Sequence, residues 1–193
     1  MAYKDLHEFV AVLEKKGLLH RVTALVDPVL EITEITDRII KKGGPALLFE
    51  RVKGSSYPVL INAFGSFERM SLALGVQHLD EIGARISKML EFQELTGGLL
   101  DKMKFLPRLA ELGSWMPKMV RRAPCQEVIR RGEDATLDIF PILKCWPGDG
   151  GRYITLPLVF TKDPETGGRN LGMYRLQVFD GKTTGMHWHI HKN

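Results

Sequence analysis

The feature that most constrains the fold is a change of pattern near Pro124. Before it, segments with helical periodicity alternate with short apolar runs, which predicts helices and strands in turn. After it, β-branched and aromatic runs are separated by Gly, Pro and Asp, which predicts strands alone. We therefore expect an α+β chain with a mixed α/β domain at residues 1–98, a connector at 99–123 and an incomplete β-barrel or sandwich at 124–193.

The N-terminal domain is predicted to hold four helices and three strands. Asp5 is a plausible cap for the first helix and Gly17 its stop, and Pro28 suits the first position of the second helix. The predicted helices cover residues 5–16, 27–42, 66–75 and 79–94, and the predicted strands cover 18–22, 46–52 and 59–63.

Residues 99–122 combine a helical apolar period with a basic surface, interrupted by Pro107 and Pro117. Such a segment is typical of a membrane-surface or acidic-partner contact, or of a connector helix with a solvated basic face. Nucleic-acid binding is a third, weaker hypothesis that a salt-insensitive titration would remove, and we predict no nucleic-acid partner.

The composition favours a cytoplasmic protein. No apolar run reaches the roughly 18–20 residues of a membrane helix, and the first residues lack the apolar core of a signal peptide. The two cysteines, Cys125 and Cys145, form no metal or redox motif and are predicted to be buried free thiols in a reducing cytosol. The net charge of +4 allows anionic partners without requiring them.

The C-terminal domain is predicted from its strands and turns. Strands are expected at 125–130 and 153–161, followed by a hairpin at 170–191 that turns at Asp180-Gly181. The hairpin ends in His187, His189 and His191, which share one face of a regular strand at about 7 Å per two-residue step. This face is either a metal or anion site or simply a polar surface.

Three further residue patterns could carry chemistry. Asn170 and His191 are candidate ligands of a hard cation such as Mn²⁺ or Mg²⁺, which would also need a carboxylate and a phosphate oxygen. Arg175 is either exposed or paired with a carboxylate or phosphate, and its spacing from Asn170 puts the two on opposite faces unless a bulge intervenes. The glycine-rich loop 146–152 could approach a phosphate.

Taken together, the motifs of this chain resemble those of the UbiD family. These are 3-polyprenyl-4-hydroxybenzoate carboxy-lyases and related reversible decarboxylases that use prenylated FMN. The resemblance covers essentially the whole chain and rests on the segments GGRYIT at 150–155, DPETG at 163–167, NLGMYR at 170–175 and GMHWHIH at 185–191, with the N-terminal segments DLHEF at 5–9 and PALLFE at 45–50. It implies that residues 124–193 begin a split β-barrel that binds flavin.

The resemblance also implies site residues. Arg175 matches a catalytic arginine that pairs with glutamates and orients the substrate carboxylate, and Asn170 and His191 match ligands of Mn²⁺ or Mg²⁺, with K⁺ as a further cation. The positions that match cofactor contacts are Thr155, Asn170, Leu171, Gly172, Met173, Tyr174, Arg175, His189 and His191.

The leading hypothesis is therefore the N-terminal part of a decarboxylase of an aromatic or α,β-unsaturated acid, of the kind used in ubiquinone biosynthesis. The resemblance implies a flavin prenyltransferase as cofactor supplier, a homo-oligomer, and a cytoplasmic location with peripheral membrane contact. The third metal ligand and both catalytic glutamates would lie beyond Asn193. The alternative is thus a non-catalytic binding or assembly module, and we expect this chain alone to be inactive.

Overall fold

The computed structural model describes residues 3–90, 113 and 119–188. Helices and strands alternate in the first part, and the later part contains short strands and single 3₁₀ turns. The helices are α1 (Leu6–Lys15), α2 (Glu31–Lys41), α3 (Phe67–Leu74) and α4 (Asp80–Leu90), and the strands are β1 (Leu19–Val26), β2 (Ala46–Val52), β3 (Val59–Ile61), β4 (Arg152–Ile154), β5 (Leu158–Lys162), β6 (Arg169–Met173), β7 (Leu176–Val178) and β8 (Thr184–Met186).

The first sheet has the order β1-β2-β3 and carries a core on each face. β1 and β2 are parallel and joined by α2, because parallel neighbours need a crossover connection, whereas β3 returns antiparallel to β2. β2 lies in the centre and buries both faces. One core holds Phe9, Leu13, Leu19, Ala46 and Ala63, and the other holds Val26, Ile32, Leu47, Phe49 and Val52.

The ends of α1 and α3 follow from local sequence. Asp5 accepts a hydrogen bond from the Glu8 N–H at 2.9 Å, and Ser66 accepts one from the Arg69 N–H at 3.2 Å. α3 ends at Gly75, which has a φ of 65° that favours glycine. Side-chain caps of this kind stabilise a helix by about 1 kcal/mol each, so the predicted positions of these two helices are confirmed.

α2 begins at Glu31, which corrects the predicted start at Asp27-Pro28. Leu30 has a φ of 69°, and its N–H donates to the Lys144 carbonyl at 3.0 Å. The Lys144 N–H in turn donates to the Pro28 carbonyl at 3.2 Å. A contact with residues far along the chain therefore replaces the first helical turn.

The C-terminal strands form two small sheets, β4-β7-β8 and β5-β6, all antiparallel. Two predictions are corrected here. The single strand expected at 153–161 is broken into β4 and β5, and the strand expected at 125–130 is instead a 3₁₀ turn at Pro124–Gln126 followed by irregular chain. Within the described residues no sheet closes into a barrel.

Residues 133–193 form one compact unit with residues 1–77, and residues 78–132 form a second. Inside the first unit, the Thr33 hydroxyl donates to the Cys145 carbonyl at 2.9 Å and the Ser55 hydroxyl donates to the Ile139 carbonyl at 2.8 Å. The domain boundaries 98/99 and 123/124 stay a prediction. Of the basic connector, residues 99–112 and 114–118 lie outside the described residues.

None of the helices in the described ranges is long and apolar enough to cross a membrane. Both cysteines are free thiols, as predicted, but the predicted burial is corrected, because Cys125 is exposed and Cys145 is half-buried.

Candidate functional site

The chain breaks between β6 and β7 at Tyr174-Arg175, and this break resolves the spacing of Asn170 and Arg175. β6 ends at Met173 in its ladder with β5, and β7 starts at Leu176 in a different sheet. The two residues therefore do not belong to one regular strand. Asn170 belongs to the β5–β6 hairpin, whereas Arg175 lies directly before β7 of the β4-β7-β8 sheet.

Arg175 is paired with a carboxylate. Of the two alternatives, exposure or pairing with a carboxylate or phosphate, the structure therefore has the second. Its Nη1 and Nη2 groups donate to Asp149 Oδ1 and Oδ2 at 3.1 and 2.8 Å. This two-pronged geometry is the strong form of an arginine–carboxylate pair. The hydrogen bonds from Arg175 lower the pKa of the Asp149 carboxyl, and the same bonds raise the pKa of Arg175.

The guanidinium of Arg175 also lies over the ring of Tyr153, with its Cζ 3.7 Å from the ring centroid. Tyr153 is opposite Gln177 in the β4–β7 ladder, and its hydroxyl donates to Gln177 Oε1 at 3.0 Å. A cation over an aromatic face is an attractive contact. The plane of the guanidinium is therefore fixed by Asp149 at its edge and by Tyr153 below.

Asp149 lies in the glycine-rich loop 146–152, where two hydrogen bonds join it to Trp146. The Asp149 N–H donates to the Trp146 carbonyl at 3.0 Å, and the Trp146 N–H donates to Asp149 Oδ2 at 3.1 Å. The loop starts next to Cys145, whose carbonyl is held by Thr33 of α2. Burial raises the pKa of the Cys145 thiol, which lies beside Arg175. In this structure the loop presents a carboxylate to Arg175.

The turn between β4 and β5 is strained. Leu156 has a φ of 59°, a region that costs a leucine energy, and Pro157 restricts it further. Backbone strain of this kind is concentrated at functional sites. Thr155, one of the predicted cofactor contacts, is the exposed residue directly before Leu156.

The β5–β6 hairpin has two different faces. Residues that pair directly across an antiparallel ladder share a face, so Thr161, Asn170 and Gly172 lie on one side. The other side carries the Lys162–Arg169 pair and four exposed apolar side chains, which are Leu158, Phe160, Leu171 and Met173. Of the predicted cofactor contacts in this hairpin, Leu171 and Met173 thus lie opposite Asn170.

A cavity of about 510 Å³ lies at the turn end of the hairpin. Two cations, the Asp163 carboxylate, an amide and two aromatic rings line it. Its lining includes Thr161, Lys162, Arg169, Asn170, Tyr174 and Trp188. The rings of Tyr174 and Trp188 are 5.5 Å apart. At Gly172 an added Cβ would collide with the Tyr174 ring, so glycine allows this aromatic side chain to pack on the strand.

The histidine strand is described only in part. β8 ends at Met186, and the His187 N–H donates to the Arg175 carbonyl at 3.0 Å. His189 and His191 lie outside the described residues, so their predicted cofactor and metal roles stay a prediction. Within residues 3–90, 113 and 119–188, no three His, Cys, Asp or Glu side chains converge on a common metal position.

Two residues of this site were not predicted from the sequence, namely Asp149 and Tyr153. Asp149 is the one carboxylate in the loop 146–152, which is a weak signal because the loop was interpreted through its backbone amides. Nothing in the sequence shows that it meets a residue 26 positions away.

Comparison with known proteins covers both parts of the chain. The family model of the 3-octaprenyl-4-hydroxybenzoate carboxy-lyase N-terminal domain matches residues 10–86, and that of the Rift-related domain of the same enzyme, UbiD, matches residues 118–193. An uncharacterized protein of Archaeoglobus fulgidus is 55% identical over 193 residues, which are 100% of this chain and 39% of that protein. One of Aquifex aeolicus is 50% identical over 99% of this chain, again 39% of its own length.

Solved structures give a consistent result. The UbiD-class enzyme HmfF from Pelotomaculum thermopropionicum, in complex with FMN, is 32% identical with a TM-score of 0.71 over 96% of this chain and 37% of HmfF. Vanillic acid decarboxylase from Sedimentibacter hydroxybenzoicus, in closed form, is 32% identical with a TM-score of 0.71 over 95% of this chain and 37% of that chain. The 3,4-dihydroxybenzoic acid decarboxylase of Enterobacter cloacae shares the fold, with a TM-score of 0.74 at 22% identity over 98% of this chain and 38% of that chain.

Proposed function

Because this chain belongs to the UbiD family, we propose that it forms the N-terminal part of a non-oxidative decarboxylase of an aromatic or α,β-unsaturated carboxylic acid. The chain spans 39% of the length of the curated relatives it matches. The activity is therefore proposed for a protein of the relatives' length.

The observation that carries the proposal is the fixed guanidinium of Arg175. A carboxylate is recognised best by a planar pair of N–H donors whose direction does not change. Asp149 and Tyr153 fix that plane at the open end of the β5–β6 hairpin. Arg175 would thus bind and orient the substrate carboxylate, in keeping with its match to the family's catalytic arginine.

The residues around the cavity fit a phosphate-bearing flavin. Lys162 and Arg169 lie opposite each other in the ladder and supply two positive charges, and Asn170 lines the same cavity from the other face of the hairpin. Charged N–H donors of this kind suit a phosphate, and Tyr174 with Trp188 supplies apolar surface for a ring. When bound, prenylated FMN supplies the electron sink that amino-acid side chains lack.

Asn170 supplies an amide oxygen, a donor that Mn²⁺ or Mg²⁺ accepts. We propose that it holds the metal together with His191, with Thr155 and the backbone of residues 170–175 along the flavin. Since Leu171 and Met173 turn their side chains to the other face, their proposed contacts with the cofactor are through the backbone.

For the 193-residue chain alone we propose a non-catalytic module. Decarboxylation ends with a proton delivered to carbon, and a suitable acid must be protonated near neutral pH. Asp149 is the carboxylate that meets Arg175 among the described residues, and its hydrogen bonds with Arg175 lower its pKa. It is therefore ionised and cannot donate that proton.

The test is CO₂ release by the full-length protein produced together with a flavin prenyltransferase. A panel of 4-hydroxybenzoate, vanillate, 3,4-dihydroxybenzoate and cinnamate covers the proposed substrate class. We expect turnover of at least one acid with prenylated FMN and Mn²⁺, and none with FMN alone or with the 193-residue chain. Absence of CO₂ release and of carboxylate binding across the panel would contradict the proposed function.

We further propose a cytoplasmic homo-oligomer with the split β-barrel completed outside residues 124–193. The exposed apolar face of the β5–β6 hairpin supports this, because four large apolar side chains on one surface are typical of a covered interface.

A further inference from the structure

The positive charge of Arg175 would disfavour the proposed reaction if nothing balanced it. The substrate carboxylate is negative before the bond breaks and leaves as neutral CO₂. An unbalanced cation therefore stabilises the substrate more than the transition state, and binding of that kind does not raise kcat. An arginine in this place has to orient the carboxylate without holding it too tightly.

Asp149 lies on the less exposed side of Arg175, where its carboxylate can balance this positive charge. It accepts two hydrogen bonds from Arg175, at 3.1 and 2.8 Å, and a third from the Trp146 N–H at 3.1 Å. Its side chain is 12% exposed, whereas that of Arg175 is 37% exposed. The carboxylate thus lies on the protein side of the pair, and the guanidinium lies on the accessible side.

The pair leaves Arg175 able to bind a second acceptor. A guanidinium carries five N–H donors; the contact with Asp149 uses two of them, and the Cys145 side chain interacts with the same group. The two bonds to Asp149 fix the plane of the donors that remain, and the Tyr153 ring lies 3.7 Å from Cζ. An incoming carboxylate would meet an arginine that is already oriented and already partly neutralised.

Building on the proposed function, we propose that Asp149 is a positioning residue that fixes the plane of Arg175 and contributes, alongside the glutamates implied by the family resemblance, to balancing its charge, so that the arginine orients a substrate carboxylate without over-stabilising it.

The first test compares a carboxylate with its neutral analogue. Full-length protein carrying FMN is titrated by calorimetry with 4-hydroxybenzoate and with 4-hydroxybenzamide. In Asp149→Asn we expect affinity for the carboxylate to rise at least threefold and affinity for the amide to stay the same. Loss of affinity for both probes indicates a merely structural role and overturns the inference, as does unchanged carboxylate affinity.

Asp37→Asn is the matched control. Asp37 pairs with Lys41 on α2, so this substitution removes the same charge at a position away from the site. We expect neither affinity to change in this variant. Asp149→Glu restores the charge on a longer arm, and we expect it to return carboxylate affinity toward the parent value.

Kinetics give a second, independent readout. With prenylated FMN, Asp149→Asn should lower kcat at least tenfold while KM stays the same or falls, because ground-state binding is kept and orientation is lost. A rise in KM with kcat unchanged would overturn the inference.

Chemical labelling separates this inference from the proposed function. Phenylglyoxal modification of Arg175, followed by peptide mass spectrometry, should be at least threefold faster in Asp149→Asn than in the parent or in Asp37→Asn. If the parent binds neither probe and no acid of the panel, the proposed function is wrong, and the labelling rate alone decides whether Asp149 holds Arg175. An unchanged rate means that it does not.

Discussion

Leu156 provides a direct test of strain next to Thr155. A leucine with a φ of 59° pays about 1–2 kcal/mol relative to an ordinary conformation. Glycine adopts this φ without that cost but loses about 0.5–1 kcal/mol through the entropy of the unfolded chain. Leu156 is 65% exposed, so little buried surface is lost on its removal. We therefore expect Leu156→Gly to raise the free energy of unfolding by about 0.5–1 kcal/mol.

The matched control is Leu158→Gly. Leu158 is exposed to nearly the same degree, at 62%, but lies in β5 opposite Met173. Glycine there brings the same entropy cost with no strain to relieve, and it also loses a cross-strand contact. We expect the free energy of unfolding to fall by about 1–1.5 kcal/mol. The two variants should thus differ by roughly 2 kcal/mol although both replace an exposed leucine with glycine.

The assay is urea denaturation of the chain, with unfolding monitored by tryptophan fluorescence. A variant at Leu156 that is less stable than the parent would refute the reasoning, because it would mean that the conformation is not strained. In the full-length protein we also expect Leu156→Gly to lower turnover, since Thr155 then sits on a freer backbone. Improved stability with unchanged turnover would show that the strain has no functional consequence.

Three further predictions concern the site. In the full-length protein, Arg175→Lys should lower kcat more than tenfold with the fold intact by circular dichroism, because lysine cannot form a planar two-pronged pair; a kcat within about threefold of the parent contradicts this. His191→Ala should purify with depleted metal and flavin while His187→Ala retains them, measured by elemental analysis and absorbance, and the reverse result would make the assigned strand register wrong. The pKa of Asp149 is lowered in the folded state, so its contribution to stability is complete above its unfolded pKa of about 3.9 and is lost as pH falls through the lower folded pKa. The free energy of unfolding of Asp149→Asn should therefore fall less steeply below about pH 4 than that of the parent.

The parts of the fold that could be predicted from the sequence are those with a local cause. α1 and α3 carry their own caps at Asp5 and Ser66, and β2 and β3 contain the apolar runs 46–49 and 59–61. The strand expected at 125–130 failed because strand propensity requires a pairing partner, and this segment has none among the described residues.

The site was predictable only in its residue types. Arg175 could be expected to meet a carboxylate or phosphate, since burying it unpaired is costly. Its partner Asp149 could not be identified, because the contact depends on how the β4–β7 ladder brings the loop beside the start of β7. The positive φ of Leu156 could likewise not be predicted, because a largely apolar run continues through the break.

The contacts that join residues 139–145 to α2 and to the β2–β3 turn also imply an order of folding. Their hydrogen bonds to Thr33 and Ser55 span 112 and 84 positions along the chain. Contacts of such sequence separation form slowly, because a long loop must close before any of them is gained. During synthesis the first sheet is complete at Ile61, well before residue 139 leaves the ribosome. We therefore expect the loop that carries Asp149 to fold late and to pack against an N-terminal part that has already folded.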